Sequence, residues 1–332
     1  MRYILGIDTS CYTTSLAGVS LTGEVLFSKQ LLLSVPKGKR GLQQSGALFQ
    51  HLKNLPLATA AVRRLLPDGE IAAVCSSTRP RRSEDSYMPV FLFSHHLGQA
   101  ISDLIHTPFY ETSHQENHIM AGLHSAKGPD SDRFLALHLS GGTSEMLDVT
   151  RSPFGFHIRL LGGTRDLHAG QFVDRIGVAM GLPFPAGPHL EALAASGTGS
   201  IDLSGSVKGL FISFSGPEAQ GQRFIRQGAP YPEIAHAVYQ LLIRTAAKWI
   251  LYAVGQGYPE EVLLVGGVSS SRLFRDGLRE RLLKRDRSIR LYFAEPGLSR
   301  DNAVGTALLG LQVYKNSGGL YEQCHPFHPS AE

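Results

Sequence analysis

Cysteine is scarce in this chain, and no apolar run approaches the roughly 18 residues that a membrane-spanning helix needs. The three cysteines among 332 residues, Cys11, Cys75 and Cys324, have no paired spacing. This argues against a disulfide scaffold and favours a reducing compartment. The first residues run straight into a strand-like segment without the pattern of a signal peptide. We therefore expect a cytoplasmic protein with no membrane partner.

Two familiar nucleotide-binding signatures are also missing. Nothing fits the G-x-x-x-x-G-K-[ST] loop, and nothing fits G-x-G-x-x-G well, so P-loop and Rossmann folds are disfavoured. The net charge of +4 is only weak support for a nucleic-acid partner. Two basic stretches, Arg79–Arg82 and Arg272–Arg290, either contact phosphates or form ordinary solvated faces.

The most informative feature that is present is a pair of histidines, His114 and His118, four residues apart. On a helix this spacing puts both imidazoles on one face, where they can hold one transition metal. Two unrelated polar residues on an exposed helix are the alternative. An H-E-x-x-H metalloprotease is excluded, because Gln115 stands where the general-base glutamate is needed. Glu116 lies two residues from each histidine, so we expect its carboxylate to point away from the metal.

The hydrophobic pattern predicts two α/β halves with the same order of elements. Each half opens with a strand–turn–strand meander, at Tyr3 and at Phe134, and continues with alternating helices and strands. We predict a first lobe over 1–130, a second over 131–299, and a C-terminal segment over 300–332 that returns to the first, with a nucleotide cleft between the lobes. The stretch Gly197–Gly209 is predicted to be a mobile surface loop. The predicted helices are Ala47–Leu66, Val90–Ile105, one that carries the histidine pair, Ala169–Met180, Tyr231–Gly255, Ser270–Lys284 and Asp301–Val313.

Three apolar strands end in small residues that expose backbone N–H groups. These residues are Asp8-Thr9-Ser10, Ser140-Gly141-Gly142-Thr143 and Gly266-Gly267. Glycine lets a backbone approach a phosphate closely, and exposed N–H groups form an anion-binding nest. Each segment alone is more often only a turn. Three of them in this order are typical of the duplicated actin-like ATPase fold, the α/β class of sugar kinases and Hsp70.

With the histidine pair added, the sequence resembles the TsaD/Kae/glycoprotease family of tRNA threonylcarbamoyladenosine synthases, formerly described as O-sialoglycoprotein endopeptidases. The resemblance covers most of the chain. The segments similar to the family's motifs are His114–His118, Ser140–Gly142, Asp166–Asp174, Pro185–Pro188, Phe211–Gly216, Gly266–Ser269 and Arg300–Asn302. This ordered set is far more specific than any single motif.

The resemblance implies an acyltransferase that moves a threonylcarbamoyl group from threonylcarbamoyl-AMP to N6 of adenosine 37 in tRNA. It implies Asp301 as a third ligand beside His114 and His118, on one Fe(II) or Zn(II) ion. It also implies an adenine nucleotide, ATP or threonylcarbamoyl-AMP, with or without Mg. The residues expected to contact the nucleotide or substrate are Asp8, Thr9, Ser10, Ser140, Gly141, Gly142, Thr143, Gly170, Asp174, Gly187, Gly266, Gly267 and Ser271. Family members work with a shorter paralogue of the same fold and a small ATPase.

One further ligand is predicted from strand alternation. His138 lies two residues before Ser140 and therefore on the same face of its strand. We predict His138 as a fourth metal ligand, with a buried, hydrogen-bonded histidine as the alternative.

Several positions depart from the family pattern. Tyr12-Thr13-Thr14 stand after Cys11 where the family has acidic residues, Pro217-Glu218 replace Leu-Lys, and Ser271 replaces Asn. These changes leave two alternatives open: a divergent paralogue that carbamoylates another acceptor, and a non-catalytic scaffold that binds metal and nucleotide and is a partner of such an enzyme. The sequence identifies no catalytic acid, base or nucleophile.

Overall fold

The computed structural model describes residues 1–10, 12–35, 42–83 and 85–319. Cys11 and Cys324 therefore lie outside the described residues. Two compact units make up the chain: one contains Met1–His124, Arg151–His157 and the residues from Arg300 on, and the other contains Ser125–Thr150 and Ile158–Ser299. Within the described ranges, no helix is both long and apolar enough to cross a membrane.

The elements follow in chain order. They are β1 (Arg2–Ser10), β2 (Thr13–Ser20), β3 (Val25–Leu32), α1 (Gln44–Leu65), β4 (Glu70–Arg79), α2 (Val90–Ile105), β5 (Phe109–Ser113), α3 (His114–Ala126), β6 (Arg133–Leu139), β7 (Ser144–Ser152), β8 (Gly155–Gly163), α4 (Ala169–Ala179), α5 (Gly187–Ala194), β9 (Ser206–Lys208), β10 (Phe211–Ser213), α6 (Ser215–Arg226), α7 (Tyr231–Gly255), β11 (Glu261–Val265), a 3-10 turn (Val268–Ser270), α8 (Arg272–Leu283), β12 (Arg290–Phe293), α9 (Pro296–Ser299) and α10 (Val304–Asn316).

The first unit is built on a sheet with the strand order β3-β2-β1-β4-β5. Alternate residues of β1 face opposite sides, because successive side chains of a strand point in opposite directions. Leu5 and Ile7 pack into a cluster with residues of α1 and α2. On the other face Gly6 leaves no room for a side chain, since a Cβ there would lie 2.5 Å from the Ala303 carbonyl oxygen. The sheet is thus covered on both faces, by α1 and α2 on one and α10 on the other.

The second unit contains a sheet with the strand order β12-β11-β6-β7-β8. Its core includes the fully buried Phe172, Trp249 and Phe274 from α4, α7 and α8. Trp249 also donates a hydrogen bond from Nε1 to the Leu210 carbonyl oxygen at 3.0 Å. Burial of each such aromatic side chain contributes roughly 1.5–3 kcal/mol to the stability of the fold. The hydrogen bond to Leu210 satisfies the buried indole N–H.

Both sheets have the same topology. In each, the first strand pairs antiparallel with the second and parallel with a later strand: β1 with β2 and β4, and β6 with β7 and β11. The order β3-β2-β1-β4-β5 therefore repeats as β8-β7-β6-β11-β12. The predicted duplication of the α/β pattern is confirmed in these two sheets.

The helix bounds agree with the sequence predictions in some places and not in others. Helices α2 and α7 have the predicted bounds, whereas α5, α6 and the β9–β10 hairpin were not predicted. The helix predicted from Asp301 begins only at Val304, where the Val304 N–H donates to the Asn302 side-chain oxygen at 2.8 Å. Asp301 therefore precedes α10.

The predicted surface loop Gly197–Gly209 is partly wrong. Its last residues form β9, and its first part is bound to a carboxylate on α7. Glu233 accepts hydrogen bonds from the N–H groups of Thr198, Gly199 and Ser200 at 2.8–2.9 Å, and from the hydroxyls of Thr198 and Ser200. The charged acceptor orders a segment that its composition alone marks as irregular.

Candidate metal centre

The histidine helix begins at a defined point because its first turn is capped. Ser113 donates a backbone hydrogen bond to Glu116 Oε2 at 3.0 Å, and the Glu116 N–H donates to Ser113 Oγ at 3.3 Å. This reciprocal pair is a capping box, which satisfies two of the N–H groups that a helix start leaves without partners. It makes His114 the first residue of α3. The Ser113-x-x-Glu116 pattern was readable in the sequence and was missed.

Glu116 points away from the histidines, as its spacing predicts. Its buried carboxylate accepts hydrogen bonds from Arg82, Nε to Oε2 at 3.1 Å, and forms an ion pair with the second guanidinium nitrogen at 2.9 Å. Arg79 similarly lies 3.5 Å from Glu111. These two arginines of the basic stretch are therefore engaged by carboxylates of their own unit.

Three side chains of the first unit, His114, His118 and Asp301, lie close enough together to bind one metal ion. The Nε2 atoms of His114 and His118 are 3.1 Å apart, and Asp301 Oδ1 lies 3.6 Å from the first and 3.4 Å from the second. A tetrahedral ion with bonds of about 2.0–2.1 Å separates its ligand atoms by about 3.3–3.4 Å. The donors fit such an ion, and this group is the one cluster of three or more metal-ligating side chains among the described residues.

Asp8 orients the first histidine. Its Oδ2 accepts a hydrogen bond from His114 Nδ1 at 2.8 Å, while Oδ1 accepts the Ser10 N–H at 3.1 Å. Because Nδ1 carries the donated proton, the neutral imidazole presents the lone pair of Nε2 toward His118 and Asp301. A carboxylate behind a ligating histidine is the usual outer partner of a metal site, since it fixes the tautomer and raises ligand basicity.

The charges of this cluster shift its pKa values. Burial disfavours the protonated form of His114, but the carboxylates of Asp8 and Asp301 outweigh burial and hold the His114 pKa well above its ordinary value. Burial likewise opposes ionisation of Asp301, yet hydrogen bonds from both histidines hold the Asp301 pKa well below its usual range. The two carboxylates thus favour positive charge at His114, where a cation would also be stabilised.

The expected phosphate residues of the first unit lie inside a strand. β1 continues through Asp8, Thr9 and Ser10 instead of turning after Ile7, and all three residues are buried. Thr9 Oγ1 donates to the Val90 carbonyl oxygen at 3.1 Å and accepts the Ser94 N–H at 3.2 Å. The structure thus gives Thr9 a role in fixing the start of α2, and nucleotide contact by this segment stays a prediction.

The serine–glycine turn of the second unit is open on its outer side. Ser140 closes the turn through its N–H to the Thr143 carbonyl oxygen at 2.8 Å, and its Oγ accepts the Thr143 N–H at 3.0 Å. A Cβ added to Gly141 or Gly142 would meet nothing within 4 Å. The Gly170 N–H donates to the Ser140 carbonyl oxygen at 3.0 Å, so the start of α4 lies directly behind the turn.

The Gly266-Gly267 turn packs against the same strand end. Gly266 has φ of +94°, and a Cβ there would lie 2.3 Å from the Leu139 carbonyl oxygen. Gly267, in contrast, has nothing within 4 Å of its Cβ position. Ser271 is the N-cap of α8, where its Oγ accepts the Phe274 N–H at 3.1 Å. A side chain at position 266 would therefore clash with β6, whereas a side chain at position 267 would find open space.

Two other predicted nucleotide contacts lie where α4 meets α5. The Asp174 carboxylate accepts the Ala186 N–H at 2.7 Å, and Gly187 begins α5. Burial raises the pKa of Asp174. The structure shows Asp174 fixing the start of α5, and its contact with ribose stays a prediction.

Asp166 connects two of the segments that resemble family motifs, Asp166–Asp174 and Phe211–Gly216. Its carboxylate accepts hydrogen bonds from Ser213 Oγ at 2.5 Å and from the Phe214 N–H at 3.0 Å, as well as from Ser215. These hydrogen bonds outweigh the effect of partial burial and lower the Asp166 pKa. The sequence alone assigns Asp166 no separate role, although its carboxylate holds the Phe211–Gly216 segment in place.

His138 is buried on β6 of the second unit, opposite Glu145 on β7. The proposed first three ligands all belong to the first unit. A fourth-ligand role for His138 therefore stays a prediction.

Solved structures identify the fold class. HypF of T. kodakarensis is similar with a TM-score of 0.59 and 14% identity, covering 95% of this chain and 48% of that one. Component A of the Acidaminococcus fermentans (R)-2-hydroxyglutaryl-CoA dehydratase is similar with a TM-score of 0.58 and 15% identity, covering 96% and 100%. The chain has the α/β fold of the actin-like ATPases and sugar kinases, as the order of its strands and turns predicts.

Sequence comparison then identifies the family. The model of the TsaD family, tRNA N6-adenosine threonylcarbamoyltransferase, matches residues 94–308, about two thirds of the chain. A Thermus thermophilus protein of that name is 30% identical over 317 residues, 92% of this chain and 91% of its own length. A probable bifunctional tRNA threonylcarbamoyladenosine biosynthesis protein from Methanocaldococcus jannaschii is 25% identical over 312 residues, 94% of this chain and 55% of its own length. The chain belongs to the TsaD family of transferases.

Proposed function

We propose that this chain transfers a threonylcarbamoyl group from threonylcarbamoyl-AMP to N6 of adenosine 37 in tRNA, with the aid of one bound metal ion. The observation that carries the proposal is the group of His114, His118 and Asp301 with Asp8 behind it, in a chain of the TsaD family. Two histidines and one carboxylate leave coordination positions open to substrate and suit Fe(II) or Zn(II).

The chemistry is an acyl substitution at the carbamoyl carbon. The N6 amine forms a C–N bond to this carbon, the C–O bond to the phosphate breaks, and AMP leaves with the electron pair while the amine loses a proton to solvent. An ion held by His114, His118 and Asp301 would supply Lewis acidity toward a carbamoyl or threonyl oxygen.

The chain's own residues bind and orient the reactants. Asp8 holds His114 in one tautomer, so that Nε2 stays available. The outer side of the Ser140–Thr143 turn is open, and we assign it the phosphate of the donor. The backbone N–H of Gly141 there would stabilise the negative charge that develops on the leaving AMP. The remaining nucleotide contacts expected from the sequence are retained in this proposal: Asp8, Thr9, Ser10, Gly170, Asp174, Gly187, Gly266, Gly267 and Ser271.

The partners follow from the proposed reaction. tRNA is the acceptor, and a shorter paralogue of the same fold with a small ATPase is the expected helper set. His138 is retained as a fourth ligand, and a cytoplasmic location is expected because tRNA processing takes place there in general.

The direct test is a transfer assay with purified protein, tRNA and threonylcarbamoyl-AMP, read by mass spectrometry of the digested nucleosides. Wild type should form threonylcarbamoyladenosine, whereas His114→Ala and Asp301→Ala should lose it. His124→Ala is the matched control, because His124 is an exposed histidine on the same helix. The assay is run with and without the paralogue and ATPase.

The departures from the family pattern define the competing result. Thr13 and Thr14 are buried in β2, and Thr14 Oγ1 hydrogen-bonds to His51 Nδ1 at 2.9 Å, so no carboxylate occupies these two positions. A wild type that binds metal and nucleotide but modifies no tRNA, even with helpers, would favour the divergent paralogue or the non-catalytic scaffold. Absence of binding to both metal and adenine nucleotide would refute the proposal.

A further inference from the structure

A single buried amide joins the elements that carry the candidate ligands. Asn117 lies on α3 between the two histidines and is fully buried. Its Nδ2 donates to Asp8 Oδ2 at 3.2 Å and also to the Asn302 carbonyl oxygen. Its Oδ1 accepts the Thr306 N–H at 2.9 Å. One side chain therefore contacts β1, the turn that follows Asp301, and the first turn of α10.

The orientation of this amide is fixed by its partners. Both groups that face Nδ2 are oxygens that can only accept, while the group that faces Oδ1 is an N–H donor. A flipped amide would set oxygen against oxygen and nitrogen against nitrogen, which loses all three hydrogen bonds. The Asn117 side chain thus has one arrangement that satisfies the site.

The start of α10 packs closely against Asn117. Gly305 packs against Asn117 so closely that a Cβ would lie 2.0 Å from the Asn117 carbonyl oxygen and 2.7 Å from its Oδ1. The turn with Asp301 and Asn302 runs directly into this contact. Because Asp301 precedes α10 and is not held by a helical backbone, its position relative to α3 depends on this packing and on the hydrogen bond from Asn117 to residue 302.

We propose that Asn117 is a positioning residue that sets the place of Asp301 relative to His114 and His118 and thereby completes the three-ligand metal site. The inference rests on the proposed metal-dependent function. Asn117 does not touch the ion. It acts through the Asp8 carboxylate, which orients His114, and through the backbone next to Asp301.

The experiment compares the cobalt complexes of purified variants without tRNA or donor. Co(II) is added to wild type, Asn117→Ala, Asn117→Leu, Asp301→Ala and His124→Ala. The visible absorption reports the number and type of ligands, and competition with a chromogenic chelator gives the affinity. The thermal midpoint of each metal-free protein is recorded to separate positioning from folding.

We expect the affinity of Asn117→Ala for Co(II) to fall about 10–100-fold. Its cobalt spectrum should resemble that of Asp301→Ala. The metal-free variant should still unfold cooperatively, with a lower thermal midpoint because the buried partners of Asn117 lose their hydrogen bonds. Asn117→Leu keeps the branched shape without hydrogen bonds and should give the same spectrum. A wild-type spectrum and affinity in either folded Asn117 variant would overturn the inference.

Two other outcomes are also decisive. If both Asn117 variants fail to fold while Asp301→Ala folds, the amide is a structural group and the positioning role is wrong. If wild type itself gives no cobalt spectrum, the metal centre of the proposed function fails instead. The two failures are distinguishable, because only the second affects wild type.

Discussion

The Asp8 carboxylate and His114 Nδ1 are joined by a hydrogen bond of 2.8 Å, although 106 residues separate them in the chain. This bond connects β1 to the first residue of α3. From the sequence, Asp8 looks like part of a phosphate-binding turn. The hydrogen bond shows that it also orients a candidate metal ligand.

Removing the charge of Asp8 should weaken the metal site without unfolding the unit. Asp8→Asn keeps the size of the side chain but removes the negative charge that raises the basicity of His114. We expect metal affinity to fall about 10–100-fold, measured by competition with a chelator in the absence of nucleotide. Asp68→Asn, at an exposed aspartate of the same unit, is the control. Equal affinities of Asp8→Asn and wild type would contradict the assigned role.

The ion pair between Arg82 and Glu116 should matter for stability. Glu116 is fully buried, and removing Arg82 leaves its carboxylate with the uncharged donors of Thr112 and Ser113. We expect Arg82→Ala to lower the free energy of unfolding by about 3 kcal/mol, measured by urea denaturation. Arg64→Ala, an exposed arginine on α1, should change it by less than about 0.5 kcal/mol. A similar small change in both variants would show that the pair is not needed.

The Glu233 carboxylate should make the stability of the second unit depend on pH. Backbone hydrogen bonds from Thr198 and Ser200 lower its pKa in the folded protein to about 2, from an ordinary value of 4.5. The unfolded chain therefore binds the proton more readily. The contribution of this group is fully present above about pH 5 and is lost as the pH falls through 4.5 toward 2.

Thermal unfolding of wild type and Glu233→Gln at several pH values tests this expectation. The midpoint of wild type should exceed that of the variant above about pH 5, and the difference should shrink as the pH approaches about 2. Glu260→Gln, at an exposed glutamate before β11, should show little difference at any pH. A constant gap between wild type and Glu233→Gln across this range would disprove the pH linkage.

Two glycines of the second unit should respond differently to alanine. Gly142→Ala adds a methyl group to open space, so its thermal midpoint should stay near that of wild type, while its affinity for AMP or ATP should fall roughly tenfold or more. Gly266→Ala forces a positive φ and a close contact with the Leu139 carbonyl oxygen. It should destabilise the unit by at least about 1–3 kcal/mol. Unchanged nucleotide affinity in Gly142→Ala would argue against this turn as the phosphate site.

The sequence predicted the repeated order of strands because alternation and turn residues are local signals. The spacing of His114 and His118 is also local, and it predicted that both imidazoles lie on one face of a helix. The family resemblance indicated Asp301 as the third metal ligand. The sequence did not predict that Asp301 precedes the last helix, since the segment before Val304 is held by long-range hydrogen bonds such as that from Asn117 to the Asn302 carbonyl oxygen. Helices α5 and α6 begin at segments that contain glycine and proline; such residues mark turns, but proline is also compatible with the first turn of a helix.

The roles of long-range partners could not be read from the sequence. Nothing in the chain near Asp8 or Asn117 indicates that these two side chains meet each other, since they are 109 residues apart. The same holds for Glu233 and the segment that it binds. These contacts depend on how the sheet and helices assemble, and only the folded structure shows them.

The central claim is that His114, His118 and Asp301 hold one metal ion per chain. Elemental analysis of the purified protein by mass spectrometry tests it most directly, with wild type beside His114→Ala, Asp301→Ala, His138→Ala and His124→Ala. We predict about one iron or zinc per wild-type chain, retained in the exposed His124 control and lost in the first two variants; loss in His138→Ala would add the fourth ligand. No metal in wild type after reconstitution, or full retention in His114→Ala and Asp301→Ala, would contradict the account.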